Sequence, residues 1–140
     1  MVASQIEADT HFCWLRFASP VSLSVGDLEA KLGLGGQVSA EARARPASPS
    51  PCLFASDAFV AVDAPLEDHL SWMFTQCRDH FGCIAEFASA PDHDVSLFLM
   101  RQTDQTGSYF EFDTTMLGPF INSGVRLTIK FEYYGAEVEA

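Results

Sequence analysis

The clearest pattern along the chain is a strict alternation of side chains near its C-terminal end. One row consists of Val125, Leu127, Ile129, Phe131 and Tyr133, and the other of Arg126, Thr128, Lys130, Glu132 and Tyr134. Successive side chains of a strand point to opposite faces of a sheet. The alternation therefore predicts a strand with one buried face and one face in water.

A helical repeat lies in the middle of the chain. Its apolar positions recur at steps of three and four residues, at Leu66, Leu70, Met73, Cys77, Phe81 and Ile84. This spacing predicts one long amphipathic helix that buries a continuous stripe. Because glycine lowers helix stability, Gly82 is expected to bend this helix or to end it early.

Shorter patterns predict the remaining elements. Strand-like runs are residues 10–18, 52–62, 95–102 and 108–113, with a bulge or bend at Ser56 and Asp57 inside the second run. Two further helices are predicted, one between an N-cap at Ser24 and the terminating Gly33, and one over Thr114–Asn122. Residues 103–107 predict a hairpin between the third and fourth strands.

The order of these elements is β-α-β-α-β-β-α-β. It predicts an α+β fold with a single, mostly antiparallel β-sheet and its helices packed on one face. We expect one domain over residues 10–134. The proline-rich segment 37–51 is expected to be a mobile loop, and residues 135–140 a frayed acidic tail. Whether Arg43 and Arg45 in that loop make a contact or are only solvated stays open.

The charge of the chain narrows the classes of partner. Its 140 residues include 19 acidic and 8 basic side chains, for a net charge of −11. That charge repels phosphate backbones, so we expect no nucleic acid partner. Two interpretations stay open, namely a charge that only maintains solubility and a charge that attracts a basic protein partner.

Several features predict a cytoplasmic location. Residues 1–9 lack the basic and apolar regions of a signal peptide. No apolar run approaches the roughly 20 residues needed to span a bilayer, so no membrane association is expected. The four cysteines, Cys13, Cys52, Cys77 and Cys83, are then expected to be reduced and packed as small apolar groups.

Four segments of the chain carry patterns that occur together in a known family. They are Phe12–Phe17 leading into Asp27–Leu34, then Leu66–Met73, Gly107–Phe112 and Gly124–Tyr134. Together they resemble the bacterial domain-of-unknown-function family DUF4279, over about residues 10–134. The resemblance implies an α+β fold and a bacterial source, and it supplies no catalytic residue. By analogy with small acidic bacterial proteins encoded beside toxin genes, it favours an immunity protein.

The sequence contains no recognisable catalytic constellation. Cys77 and His80 are neighbours on the predicted helix, but Cys77 lies on its apolar stripe, where a thiol is neutral and inert. Of Cys77, His80 and Cys83, one helix brings only two together as metal ligands unless Gly82 breaks it, and His93 would have to complete the set. We therefore expect no enzyme activity, cofactor or bound metal. A small metal-dependent enzyme that uses Cys77 and His80 remains an alternative.

The face of the sheet opposite the helices is the predicted docking surface. Its candidate residues are Trp14, Arg16, Tyr109, Glu111, Asp113, Arg126, Lys130, Glu132 and Tyr134, with Phe98 and Met100 beside them. Tryptophan, tyrosine and arginine are enriched in binding hot spots. We expect a non-enzymatic protein-binding module, an immunity-type protein that neutralises a bacterial toxin by docking an acidic surface. A homodimer or other homo-oligomeric structural module is the alternative.

Overall fold

The computed structural model describes residues 9–34, 52–104 and 111–133. Four strands run through this part of the chain, namely β1 (Thr10–Ala18), β2 (Cys52–Ala55), β3 (Asp94–Thr103) and β4 (Arg126–Tyr133). Four helices accompany them, namely α1 (Val25–Leu32), α2 (Leu66–Cys77), α3 (Phe81–Ser89) and α4 (Thr114–Asn122). A 3₁₀ turn, Ser56–Ala58, directly follows β2.

The strands form one mixed sheet in the order β2-β1-β3-β4. β1 is antiparallel to both β2 and β3, whereas β3 and β4 are parallel and α4 connects them. The α+β class is thus confirmed, with a mixed rather than an all-antiparallel sheet. A parallel pair needs a crossover connection, and α4 supplies it.

The predicted fourth strand, which was to form a hairpin with β3, is wrong for residues 111–113. Residues 108–110 of the expected fourth strand lie outside the described residues, and residues 111–113 are irregular. The Asp113 carboxylate accepts the backbone N–H of Thr115 at 2.9 Å and caps α4. Helix capping therefore takes this residue out of the sheet, because an N-cap precedes the first helical turn.

The helices lie on one face of the sheet, as predicted. That face carries Cys13, Leu15 and Phe17 of β1 and Leu97 and Leu99 of β3, all with no exposed surface. α2 packs against β1, α3 against β3 and α4 against β4. Burial of these side chains removes apolar surface from water and is the main stabilising contribution to the fold.

The predicted central helix is two helices, α2 and α3. The chain turns at Arg78–His80, where the His80 N–H donates to the Cys77 carbonyl at 2.8 Å. A new helix then begins, with the Ile84 N–H donating to the His80 carbonyl at 3.0 Å. Gly82 lies inside α3 and does not end a helix. Cys77 at the end of α2 and Ile84 in α3 both lie in the core.

The ends of α1 follow their local signals. The Ser24 hydroxyl accepts from the Asp27 N–H at 3.0 Å, and the Asp27 carboxylate accepts from the Ser24 N–H at 3.2 Å. This reciprocal capping box satisfies two backbone donors at the start of the helix. At the other end Gly33 has φ 70°, in the left-handed region that favours glycine. Both predicted ends are confirmed.

The apolar row of β4 is buried only at its beginning. Val125, just before the strand, is 6% exposed, whereas Ile129, Phe131 and Tyr133 are 43%, 44% and 54% exposed. The prediction of a fully buried face is therefore wrong for the second half of β4. β4 is the last strand of the described sheet, and α4, at about 13 Å against about 26 Å for the strand, is too short to cover its full length.

Candidate functional site

Five of the predicted docking residues lie together on the sheet face opposite the helices. Register places Trp14 beside Phe98 and Met100 beside Lys130, on the face opposite the buried Leu97 and Leu99. The residues on this face are Trp14, Arg16, Arg126, Lys130 and Glu132. Tyr109 and Tyr134 lie outside the described residues.

Two predicted docking residues are not part of the sheet. Glu111 and Asp113 precede α4 in irregular backbone, so the expectation that they alternate outward on a strand is wrong. Asp113 instead accepts hydrogen bonds from the backbone and the hydroxyl of Thr115. Those hydrogen bonds lower the pKa of its carboxyl.

The middle of the open sheet face is aromatic. The Trp14 ring stacks on Phe12, with centroids 4.7 Å apart, and on Phe98, with centroids 5.9 Å apart. Met100 on the same face is only 7% exposed. Towards β4 the charges are balanced rather than acidic, because Arg126 binds Asp94 at 2.9 Å. The acidic surface expected from the net charge is therefore not found here.

A different surface collects carboxylates, the segment of residues 57–68, hereafter the acidic loop. Asp57, Asp63, Glu67 and Asp68 are all exposed. No lysine or arginine occurs in the sequence between Arg45 and Arg78. Across residues 9–34, 52–104 and 111–133, no ion pair involves any of these four carboxylates. The acidic loop therefore presents four exposed carboxylates that no lysine or arginine of the described residues neutralises.

The acidic loop also carries exposed apolar side chains. Phe59 is 59% exposed and Val62 is 42% exposed. One face of Phe59 stacks on Trp72 of α2 with centroids 5.1 Å apart, and Trp72 meets Phe54 edge to face at 6.1 Å. The Trp14 indole N–H donates to the Asp57 carboxylate at 3.0 Å. The acidic loop is thus joined to the aromatic face of the sheet.

Two histidines hold the backbone of the acidic loop from beneath. His69 Nε2 lies 2.9 Å from the Ala61 carbonyl oxygen, and His11 Nδ1 lies 2.9 Å from that of Ala64. A carbonyl only accepts, so both ring nitrogens carry the proton and donate. The His11 backbone N–H donates to the Val62 carbonyl at 2.8 Å. Three carbonyls of the acidic loop are therefore fixed.

The Ser56 hydroxyl makes two hydrogen bonds in the core, and the tautomer of His69 fixes their directions. With its proton on Nε2, His69 accepts at Nδ1 from the Ser56 hydroxyl at 2.6 Å. Ser56 Oγ in turn accepts the Cys13 N–H at 2.8 Å. A hydroxyl held by a histidine resembles an activated nucleophile, but Ser56 and His69 have no exposed surface. This pair joins β1, the 3₁₀ turn and α2 and fixes the start of the acidic loop.

Sequence reasoning missed this arrangement, although one signal was present. His69 lies three residues after Leu66 and four before Met73, on the apolar stripe of α2. A polar residue on a buried stripe requires hydrogen-bond partners in the core. The predicted strand over residues 52–62 concealed those partners, because β2 ends at Ala55 and the chain then turns.

Burial lowers the pKa of both histidines from the ordinary value of 6.5. Each ring loses hydration, which disfavours the charged imidazolium, while the hydrogen bond to a carbonyl acts in the opposite direction. Arg101 adds to the effect at His11 and His11 adds to it at His69, whereas Asp9, Asp57 and Asp68 oppose it. Both rings are therefore neutral at pH 7.

The free energy of unfolding is expected to decrease as the pH falls below 6.5. The unfolded chain then binds protons at His11 and His69 while the folded protein does not, so the stabilisation present above pH 6.5 is progressively lost down to the folded pKa values. The limiting slope is about 1.4 kcal/mol per pH unit for each histidine. Urea unfolding at closely spaced pH values above the carboxylate range measures it.

The His11→Gln/His69→Gln double variant is the control for this pH dependence. It removes both titrating rings, so its unfolding free energy should vary less with pH over the same interval. A wild-type stability that stays flat as the pH falls from 6.5 towards 5 would contradict the assignment.

The candidate residues of the cysteine and metal alternatives are Cys77, His80, Cys83 and His93. Cys77 is fully buried, and burial raises the pKa of its thiol far above the ordinary value. Cys83 and His93 line a crevice of about 200 Å³ together with Lys31 and Glu86. Within the described stretches, no group of three histidine, cysteine or acidic side chains could hold a metal ion.

In the described parts of the chain, no helix combines the length and apolar character required to cross a membrane. Comparisons with protein-family models, with curated proteins and with solved structures found no match to this chain. The resemblance to DUF4279 therefore stays a prediction.

Proposed function

We propose that the chain is a non-enzymatic protein-binding module that docks a basic protein through the acidic loop. The observation that carries this proposal is the exposure of Phe59 and Val62 among four exposed carboxylates that form no ion pair with any described residue. Exposed apolar side chains rimmed by charge are typical of interaction sites. Hot spots likewise combine a central aromatic residue with a surrounding rim that excludes water.

Charge complementarity supports a basic partner. The four carboxylates of the acidic loop attract a cationic surface, which raises the association rate and rejects acidic competitors. The chain carries a net charge of −11, so its overall field acts in the same direction. A partner that presents arginine has a further advantage, because guanidinium groups stack on aromatic rings and pair with carboxylates.

The fixed backbone of the acidic loop supports tight binding. His11 and His69 hold the carbonyls of Ala61, Val62 and Ala64, and Trp72 supports the ring of Phe59. A surface that is ordered before binding loses less conformational entropy when the partner docks. The acidic loop therefore presents Phe59 in a defined position.

More specifically, we propose that the chain is an immunity-type protein. The partner is then a basic toxin domain, and the chain neutralises it in the cytoplasm by covering its active surface. This form rests on the analogy between small acidic bacterial domains and toxin inhibitors, and on the charge of the acidic loop. The aromatic sheet face, joined to the acidic loop through Trp14 and Asp57, would widen the contact.

Replacing Phe59 by alanine is expected to weaken partner binding by about thirtyfold, the loss typical of a hot-spot residue. The ring is 59% exposed, so the fold should tolerate the change. Asp63→Lys/Glu67→Lys is expected to slow association about tenfold and to reduce its salt dependence. Calorimetry and stopped-flow mixing with the purified basic product of a neighbouring gene measure both effects.

The matched control is Asp79→Lys/Glu86→Lys, which makes the same change in charge on exposed residues outside the acidic loop. Its association rate should change less than that of Asp63→Lys/Glu67→Lys. Hen lysozyme serves as an unrelated basic protein and should bind far more weakly than the cognate partner. Equal losses for the two charge variants would show that binding follows net charge alone and would overturn the proposed site.

A further inference from the structure

The helix-side face of β4 carries a row of apolar side chains that becomes exposed in the second half of the strand. Register aligns Leu97 with Leu127 and Leu99 with Ile129, so these side chains share the helix-side face. Leu97 and Leu99 have no exposed surface, whereas Ile129 is 43% exposed. Phe131 and Tyr133 extend the row with 44% and 54% exposed.

β4 is also the last strand of the sheet. β3 pairs with it on one side, and no other strand in residues 9–34, 52–104 and 111–133 pairs with its outer edge. Proteins normally cover or charge such an edge, because its backbone groups and apolar side chains are a template for another strand. Lys130 is the kind of residue that discourages random pairing. An ordered partner must therefore accommodate Lys130 together with the apolar row.

A second copy of β4 meets this requirement in one antiparallel register. Opposed residues of an antiparallel pair point to the same face, so a two-fold axis must pass through a residue for the apolar rows to meet. An axis at Ile129 places Leu127 opposite Phe131 of the second copy and Arg126 opposite Glu132 of the second copy. Each contact occurs twice, and Lys130 lies opposite the neutral Thr128.

Neighbouring registers are less favourable. An axis at Thr128 places Arg126 opposite Lys130 of the second copy, and an axis at Lys130 places this residue opposite itself. Like charges that face each other across strands are destabilising. An axis at Phe131 pairs Lys130 with Glu132, but its overlap within the described strand is limited to residues 129–133. The Ile129 register aligns the longer stretch 126–132.

The net charge of β4 is opposite in sign to that of the whole chain. The whole chain carries −11, which makes two copies repel each other. β4 itself carries two basic side chains, Arg126 and Lys130, and one acidic side chain, Glu132. Arg126 is 68% exposed at its side chain, so it can reach a second carboxylate in addition to Asp94.

We infer that the outer edge of β4 binds a second copy of this chain, in an antiparallel pair centred on Ile129 that joins two sheets into one. The interface joins the exposed apolar rows on one face and places two Arg126–Glu132 pairs on the other. It is separate from the acidic loop, so each copy keeps its own docking surface for a partner.

Charge reversal with rescue tests this pairing in the full chain. Sedimentation equilibrium and light scattering over a wide range of concentration should show a dimer for the wild type. Arg126→Glu and Glu132→Arg should each weaken it about tenfold, because two attractive pairs become repulsive. The double variant Arg126→Glu/Glu132→Arg should restore the wild-type affinity. Ile129→Lys places two cations on the axis and should give a monomer.

Lys130→Glu is the matched control, since Lys130 faces Thr128 in this register and its reversal should change the dimer affinity little. Circular dichroism confirms that each variant is folded. A wild type that remains monomeric throughout, or a dimer insensitive to Ile129→Lys, overturns the inference. Rescue by Lys130→Glu/Glu132→Arg in place of the Arg126 pair also overturns it, in favour of an axis at Phe131.

Discussion

His69→Ala is expected to lower the free energy of unfolding by about 4 kcal/mol. The substitution leaves the fully buried Ser56 hydroxyl without its acceptor, at about 1–3 kcal/mol. It removes one of the two hydrogen bonds to the Ala61 carbonyl, which still accepts the Ala64 N–H at 3.0 Å. It also leaves a cavity beneath the acidic loop. Because small domains are stable by only about 5–15 kcal/mol, a loss of this size is large. Urea unfolding measures it as a lower midpoint.

Two comparisons separate this network from a general effect of losing a histidine. The half-buried His93 ring has Nδ1 at 3.2 Å from the Phe87 carbonyl oxygen and stacks on the Phe87 ring with centroids 4.4 Å apart, so His93→Ala should remove only about 1–2 kcal/mol. Ser56→Ala removes the acceptor of the Cys13 N–H. The double variant Ser56→Ala/His69→Ala should lose less unfolding free energy than the sum of the two single variants. Full additivity would contradict the network.

The same substitution connects stability with binding. Without His69, the acidic loop loses the bond that ties the Ala61 carbonyl to α2, while that carbonyl still accepts from the Ala64 N–H and the two bonds from His11 remain. The partner would then have to order more of the acidic loop, which lowers affinity through the entropy of binding. Partner affinity of His69→Ala is measured at a temperature where the variant is still folded.

Phe17→Ala is expected to lower the free energy of unfolding by about 3–5 kcal/mol, the range for a buried phenylalanine. The ring has no exposed surface and meets Phe87 of α3 edge to face, with centroids 5.3 Å apart. Its removal opens a cavity between β1 and the helix layer, and neighbouring side chains can fill it only partly. Thermal and urea unfolding both report the loss.

Phe12→Ala is the matched control in the same strand. Phe12 lies on the opposite face of β1, half-buried and stacked on Trp14, so its loss should be about 1–2 kcal/mol. The comparison tests the assignment of the two faces directly. If Phe12→Ala proves the more destabilising change, the helices do not cover the face that carries Phe17.

Local signals in the sequence were sufficient for the elements whose ends are chemically marked. The capping box of Ser24 and Asp27 and the left-handed Gly33 bound α1, and α4 has its predicted range from Thr114 to Asn122. These ends depend on hydrogen bonds between residues a few positions apart. Their chemistry can therefore be recognised without knowledge of the fold.

Features that depend on residues far apart in the sequence could not be predicted from local patterns. Alternation predicted that β4 is a strand, but the exposure of Ile129 follows from its place at the end of the sheet. Parallel pairing of β3 and β4 follows from the α4 crossover. The acidic loop was concealed because Phe59, Val60 and Val62 have the composition of a strand. Only the turn at Ser56, held by His69, separates them from β2.

β1 is the first of the described strands and one of the two interior strands of the sheet, and this has a consequence during synthesis. β1 pairs with β2 on one side and β3 on the other, and Thr10 has its register partner at Gln102. The ribosome must therefore synthesise three of the four described strands before β1 can pair on both of its sides. Until then Leu15 and Phe17 belong to a nascent segment that chaperones can bind, and transcripts truncated before β3 should yield aggregating fragments.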